Sequence, residues 1–167
     1  MELDLGDLQR SQLRCSGARC VTVENQTPFL DLVAQASGVL LLHTSYPNAA
    51  TLELIRRLPA SVRFWHLGDS DPQGFDILRD LRVRSGRDFQ PLAMKDRSEA
   101  SSVPMTVDEV QLVSRLLQGP EMPALPDVRL ELEKLNSAGT KVDFETESLS
   151  PVVVIELIRG LEEFPAR

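Results

Sequence analysis

Residues 62–75 read VRFWHLGDSDPQGF, and this stretch decides the fold class of the chain. Its first part, at 62–67, is rich in β-branched and aromatic residues and predicts a strand. Apolar residues at 75, 77, 78 and 81 have helical spacing, which predicts a helix over 72–84. Asp69 and Asp71 therefore lie in a turn between a strand and a helix, at the edge where open α/β sheets bind their ligands.

This turn has two interpretations. Asp, Pro and Gly are common turn formers, and an Asp often caps the helix that follows it. Two carboxylates at the end of a strand are equally typical of a divalent metal site. The turn alone leaves both interpretations open.

The strand-then-helix pattern occurs three times. A strand over 19–24 precedes a helix that begins near Thr27-Pro28, and an apolar strand over 38–43 precedes a helix over 49–58. A fourth strand is expected over 89–94. Short connections between successive units predict an α/β fold with a mainly parallel four-stranded sheet flanked by helices.

The C-terminal part is expected to be mainly helical. After a Ser-rich loop over 99–105, Thr106 is a good N-cap for a helix that extends to about 117. Further helices are expected over 127–135 and 151–162. We therefore expect an N-terminal extension over 1–18, an α/β core over 19–98 and a helical extension over 99–167 that packs on the core.

The bulk composition limits the function classes. With 167 residues and 42% hydrophobic content, the chain can bury the core of one compact domain. No apolar run approaches the ~20 residues that a membrane helix requires. The N-terminus is acidic where a signal peptide is basic, so we expect a cytoplasmic protein that does not attach to membranes.

Few nitrogen or sulfur ligands are available for a metal. The chain has two histidines, His43 and His66, and two cysteines, Cys15 and Cys20, which are too few for a three-histidine centre or a closed zinc site. Any metal is then held by oxygen, which points to Mg²⁺ or Mn²⁺.

The charge pattern leaves nucleic-acid binding open. A net charge of −7 argues against binding of nucleic acid over the whole surface. A local basic patch remains open, because basic residues follow the acidic turn, although a solvated helix face is the alternative. The patch consists of Arg79, Arg82, Arg84, Arg87, Lys95 and Arg97.

Glu24 ends the first predicted strand and adds a third carboxylate. The ends of parallel strands lie on one edge of a sheet, so Glu24 can converge with Asp69 and Asp71. Three carboxylates in one pocket repel one another, and a divalent cation stabilises them as anions. The alternative is that Glu24 caps the next helix or pairs with an arginine.

At these residues the chain resembles a known family. Val23-Glu24-Asn25, the GDSDPQGF turn at 68–75 and the segment at 91–96 are similar to a Toprim domain. More narrowly, they resemble the C-terminal domain of JetD, the nuclease subunit of the Wadjet anti-plasmid systems, which is related in this part to the A subunit of topoisomerase VI. The segment FETESLSP at 144–151 resembles that family's Glu-x-Glu segment and makes Glu145 and Glu147 further candidate ligands.

The resemblance implies a Toprim-like, Rossmann-like sheet and Mg²⁺- or Mn²⁺-dependent cleavage of double-stranded DNA. It implies metal-holding and catalytic roles for Glu24, Asp69 and Asp71. It also implies that the partners include a condensin-like (SMC-type) complex, and it leaves a homodimer open. The remaining candidates are Asn25 and His66 at the site, and Arg79, Arg82, Arg84 and Lys95 for DNA contact.

The chain also departs from the family. It has HTSYP at 43–47 where relatives have a Gly-rich turn, and it does not include the family's long N-terminal arms. Topoisomerases of this type attack DNA with a tyrosine on a separate domain, whereas Tyr46 lies in a strand-to-helix turn. We expect Tyr46 to be a packing or surface residue, so that water is the nucleophile and the reaction is hydrolysis.

Two other functions remain open. A Toprim-like module without catalysis, acting as a scaffold in a DNA-processing complex, would suit the acidic composition. A receiver-like phosphoacceptor domain would also gather aspartates at strand ends, with Lys95 as its lysine, but the position of Glu24 and the Asp-Pro-x-Gly turn fit it poorly.

Overall fold

The computed structural model describes residues 18–95 and 102–142, together with the isolated Gly6. The larger sheet consists of β1 (Arg19–Val23), β2 (Leu40–His43), β3 (Arg63–Leu67) and β4 (Phe89–Pro91). The helices are α1 (Gln26–Gln35), α2 (Ala49–Arg57), α3 (Pro72–Ser85), α4 (Val107–Gln118) and α5 (Pro126–Ala138). A 3₁₀ turn (Met122–Ala124) and an antiparallel pair, β5 (Ser102–Pro104) and β6 (Thr140–Val142), complete the described elements.

The four strands of the larger sheet are parallel and lie in the order β2-β1-β3-β4. This confirms the predicted α/β class and the four-stranded parallel sheet flanked by helices. The chain moves outward from β1 to β2 and then crosses to β3 on the other side of β1. The carboxyl ends of β1 and β3 therefore enclose the topological switch point, which is where ligands bind in such sheets.

Helices cover the two faces of the sheet unequally. On one face, Phe64 and Phe89 belong to a large core to which α2, α3, α4 and α5 contribute. The other face carries a smaller cluster around Val21, Val23 and Leu67, into which α1 places Leu32. The apolar positions that predicted α3 are fully buried in the large core, and each contributes about 1.5–3 kcal/mol; they are Phe75, Ile77, Leu78 and Leu81.

Two predicted boundaries are wrong. The strand expected over 89–94 ends at Pro91, because Ala93 adopts a left-handed backbone with φ 55° that an extended strand cannot contain. The loop expected over 99–105 contains β5, which pairs with β6 far along the chain. Such pairing is non-local and leaves no periodic signal in a three-residue segment.

Some predictions fall outside the described residues. They include the last helix over 151–162, the Glu-x-Glu segment at 144–151 and most of the N-terminal extension, so the division into three segments stays a prediction. Within residues 18–95 and 102–142, none of the helices combines the length and apolar character that a membrane span requires.

Candidate functional site

The switch point brings together the ends of the two central strands. Glu24 follows β1 directly, and its backbone N–H donates to the Leu67 carbonyl at 2.9 Å, which extends the pairing between β1 and β3 by one residue. Asp69 lies two residues beyond the end of β3. The parallel register therefore places Glu24 and Asp69 next to each other at this edge of the sheet.

Three polar residues are linked at this edge. The Asp69 N–H donates to Glu24 Oε2 at 3.2 Å, and Asn25 Nδ2 donates to Asp69 Oδ1 at 2.8 Å. Asn25 thus holds one oxygen of the Asp69 carboxylate while the Asp69 backbone holds Glu24. The structure brings Glu24, Asn25 and Asp69 into one hydrogen-bonded group.

Asp71 has a second task in the same turn. It is the N-cap of α3, where its Oδ1 accepts from the Gly74 N–H at 2.8 Å, and Pro72 occupies the first helical turn. The turn-former interpretation therefore holds for Asp71, whereas Asp69 does not cap α3. A Cβ at Gly74 would lie 2.1 Å from the Asp69 carbonyl oxygen, so only glycine lets the helix begin this close to Asp69.

The electrostatics of the group favour a cation. Burial, together with the nearby Asp69 and Asp71 carboxylates, raises the pKa of Glu24 from 4.5 to about 7, although the Asp69 N–H opposes this shift. Near neutral pH the metal-free protein therefore holds Glu24 partly protonated. A positive charge between these carboxylates would favour the ionised form.

The site offers carboxylate oxygens to a divalent metal. In residues 18–95 and 102–142, no three His, Cys, Asp or Glu side chains are arranged to hold an ion. Mg²⁺, however, commonly binds through one or two carboxylates and keeps several waters or substrate oxygens. The oxygen donors of Glu24 and Asp69 fit that mode, while the three-carboxylate site stays a prediction.

His66 lies beneath the site. It is fully buried, and its Nδ1 is 2.9 Å from the Thr22 hydroxyl on the neighbouring strand. Burial lowers the pKa of His66 to about 3, so the imidazole is neutral near physiological pH. Among the described residues, its Nε2 has no hydrogen-bond partner.

Sequence reasoning did not identify several of these partners. The Ser70 hydroxyl donates to the Lys95 carbonyl at 3.0 Å and ties the turn to the segment after β4. His43 Nε2 is 3.1 Å from the Glu24 carbonyl oxygen. Strand register and turn geometry place Thr22, Ser70 and His43. The sequence signal that could have identified them is their position next to predicted strand ends.

The basic patch is largely committed to internal contacts. The side chains of Arg79 and Arg82 bond Asp76 and Asp88, at 2.7 and 2.5 Å. Arg84 bonds Asp80 at 2.9 Å, and Lys95 is exposed beside the turn. These contacts favour the solvated-face interpretation for the three arginines.

Arg84 and Arg87 of the patch, together with Arg56, also donate to backbone carbonyls. Arg56 donates to the Arg84 carbonyl, Arg84 to the Pro47 carbonyl, and Arg87 to the Arg56 and Leu58 carbonyls. Arg87 also lies over the Phe64 ring, 5.4 Å from its centroid. Arg56 and Arg87 join the C-terminal ends of α2 and α3, where cations are favoured, whereas Arg84 joins α3 to the segment just before α2.

Tyr46 is half exposed, and its hydroxyl donates to Asp76 Oδ2 at 2.7 Å. Partial burial and this carboxylate raise the pKa of Tyr46. A phenol that faces a carboxylate is a poor source of phenolate. Tyr46 is a surface residue, as expected, and the identity of the nucleophile stays a prediction.

Comparison with known proteins adds the family. A search of the curated proteins found no match. The family model described as "Wadjet protein JetD, C-terminal" matches residues 4–150, which is most of the chain. The match covers the α/β sheet, the Glu24 and Asp69 edge and the helices that follow. The chain therefore belongs to the family of Wadjet JetD C-terminal domains.

Proposed function

We propose that the chain is a divalent-metal-dependent DNA endonuclease domain that acts in Wadjet-type defence against plasmid or foreign DNA. Membership of the JetD C-terminal family supports the defence role and the nuclease class. The observation that carries the proposal is the hydrogen-bonded pair of Glu24 and Asp69 at the switch point of the sheet. Asp71 joins them electrostatically, because its carboxylate also raises the pKa of Glu24.

In this proposal Glu24 and Asp69, assisted by Asp71, hold Mg²⁺ or Mn²⁺. The ion would supply charge neutralisation at the scissile phosphodiester. Asn25 keeps the Asp69 carboxylate oriented, and the Gly74 contact fixes the Asp69 backbone against α3. Water is the proposed nucleophile, because the Tyr46 hydroxyl is held by a carboxylate.

The proposed substrate is double-stranded DNA, delivered with the help of condensin-like subunits. Lys95 is the proposed DNA contact, because it is exposed and its carbonyl accepts a hydrogen bond from Ser70 in the turn. A Toprim-type classification of this fold, a cytoplasmic location and a homodimer belong to the same proposal.

The test is cleavage of supercoiled plasmid in Mg²⁺ or Mn²⁺, by the chain alone and with its condensin-like partners. Asp69→Asn and Glu24→Gln keep the side-chain shapes and should each lower the cleavage rate at least 100-fold. Glu133→Gln, on the outer side of α5, is the matched control and should cleave as the wild type does. Cleavage that persists in Asp69→Asn or in EDTA would overturn the proposal.

A second candidate function is a non-catalytic module in a DNA-processing complex. The absence of a three-ligand metal group among the described residues favours it, as do the internal contacts of the arginines. A thermal melt separates the two functions. A metal at ~100 times its dissociation constant should stabilise the nuclease by ~2.7 kcal/mol, whereas the scaffold should melt unchanged.

A further inference from the structure

The imidazole of His66 has one nitrogen whose hydrogen bonding is unexplained. Its Nε2 is buried and has no partner within the described part of the chain. A buried polar atom without a partner costs about 1–3 kcal/mol, so its presence needs an explanation. His66 is the last but one residue of β3, directly below the turn that carries Asp69.

The unpartnered nitrogen faces the same point as the Glu24 carboxylate. A Cβ added to Gly68 would lie 2.5 Å from His66 Nε2 and 2.9 Å from Glu24 Oε2. Since Gly68 has no side chain, both atoms border a space that a larger residue would fill. A hydrogen bond between them requires the Glu24 side chain to move, because His66 Nε2 has no partner among the described residues.

Thr22 determines which ring nitrogen carries the proton. Its hydroxyl is 2.9 Å from His66 Nδ1 and 3.3 Å from the Trp65 carbonyl, and it has one proton to give. A Thr22 proton given to Nδ1 leaves the ring's own proton on Nε2, where it can bond an anion, whereas one given to the Trp65 carbonyl leaves the ring proton on Nδ1.

We propose that His66 is a positioning residue for Glu24, whose carboxylate accepts a hydrogen bond from the His66 Nε2–H at the end of β1. The inference rests on the proposed function, since it assigns His66 to the carboxylate that receives the cation. It differs from a role for His66 as a metal ligand, because a protonated Nε2 cannot coordinate an ion. Donors of this kind orient metal-binding groups and change metal affinity by 10–100-fold.

The first test is spectroscopic and does not depend on metal. Long-range ¹H–¹⁵N spectra of histidine-labelled, metal-free protein at pH 8 should show His66 as the neutral Nε2–H tautomer, with the His43→Gln variant used for assignment. In Glu24→Gln the Nε2–H resonance should shift, because a charged acceptor becomes a neutral one. An Nδ1–H tautomer, or an Nε2–H chemical shift that is the same in Glu24→Gln as in wild type, would overturn the inference.

The second test compares two replacements. His66→Gln retains an N–H donor, and His66→Leu fills similar space without one. Mn²⁺ titration followed by electron paramagnetic resonance should show at least 10-fold weaker binding in His66→Leu and within about 3-fold of wild type in His66→Gln. Equal binding by the leucine variant would overturn the inference.

The two tests also separate the two proposals. If wild-type protein binds no Mn²⁺, the proposed function fails and the tautomer spectra alone decide the role of His66. Should either His66 variant fail to fold by circular dichroism, the spectra of wild type and Glu24→Gln still decide it.

Discussion

The raised pKa of Glu24 makes the stability of the metal-free protein depend on pH. The folded protein binds a proton at Glu24 up to a pKa of about 7, whereas the unfolded chain releases it near 4.5. The stabilising contribution is therefore fully present below 4.5 and is lost as pH rises through about 7. Replacement by Gln removes this ionisation.

The difference between the two pKa values corresponds to about 3 kcal/mol at full effect. Glu24 is not completely buried, and solvent screening lowers the effect to about 1–3 kcal/mol. In EDTA and below pH 4.5, Glu24→Gln and wild type should have the same free energy of unfolding. At pH 8 the free energy of unfolding of Glu24→Gln should be higher by about 1–3 kcal/mol.

Urea denaturation between pH 4 and pH 8.5 measures this difference. Glu133→Gln is the control, because Glu133 is half exposed in an ion pair with Arg129. Its difference from wild type should stay within about 0.5 kcal/mol across the range. If the free energy of unfolding of Glu24→Gln does not rise relative to wild type as pH increases, ionisation of Glu24 does not destabilise the fold as the structure indicates.

Two further substitutions probe the turn and the nucleophile. Gly74→Ala places a Cβ 2.1 Å from the Asp69 carbonyl oxygen and should lower the free energy of unfolding by about 2–3 kcal/mol in urea titrations. Gly119→Ala, whose Cβ meets the end of a flexible side chain at 2.9 Å, should cost under about 1 kcal/mol, and equal losses would refute the packing argument. Tyr46→Phe should lose about 1 kcal/mol with its bond to Asp76, yet cleave plasmid within about 2-fold of wild type. Abolished cleavage would contradict a role for Tyr46 limited to packing and surface contacts.

The parts that sequence predicted are those with local causes. The apolar spacing of Phe75, Leu78 and Leu81 predicted α3, and its cap and proline predicted where α3 begins. The alternation of strands and helices was enough to predict the parallel sheet. From that sheet followed the convergence of Glu24 with Asp69, because parallel strands end at a common edge.

The parts that sequence could not predict depend on register and on distant pairing. The contact of Thr22 with His66 requires that β1 and β3 pair in one particular register, over 44 positions of sequence. The β5 and β6 pair joins segments that have no periodic pattern of their own. In the acidic turn, Asp71 caps the helix and Asp69 lies beside Glu24. The conformation of the turn decides which aspartate does which, and residue type does not.

The arginines that join α2 and α3 have a consequence for DNA affinity. Guanidinium groups bonded to backbone carbonyls and aspartates displace few counterions from a phosphate backbone, and counterion release supplies most of non-specific DNA affinity. If the chain acts on DNA, a plot of log affinity against log salt concentration should be shallow for the chain alone and steep for its complex. The catalytic site and most of the electrostatic affinity for DNA would then lie on different subunits, so that cleavage would require assembly of the complex.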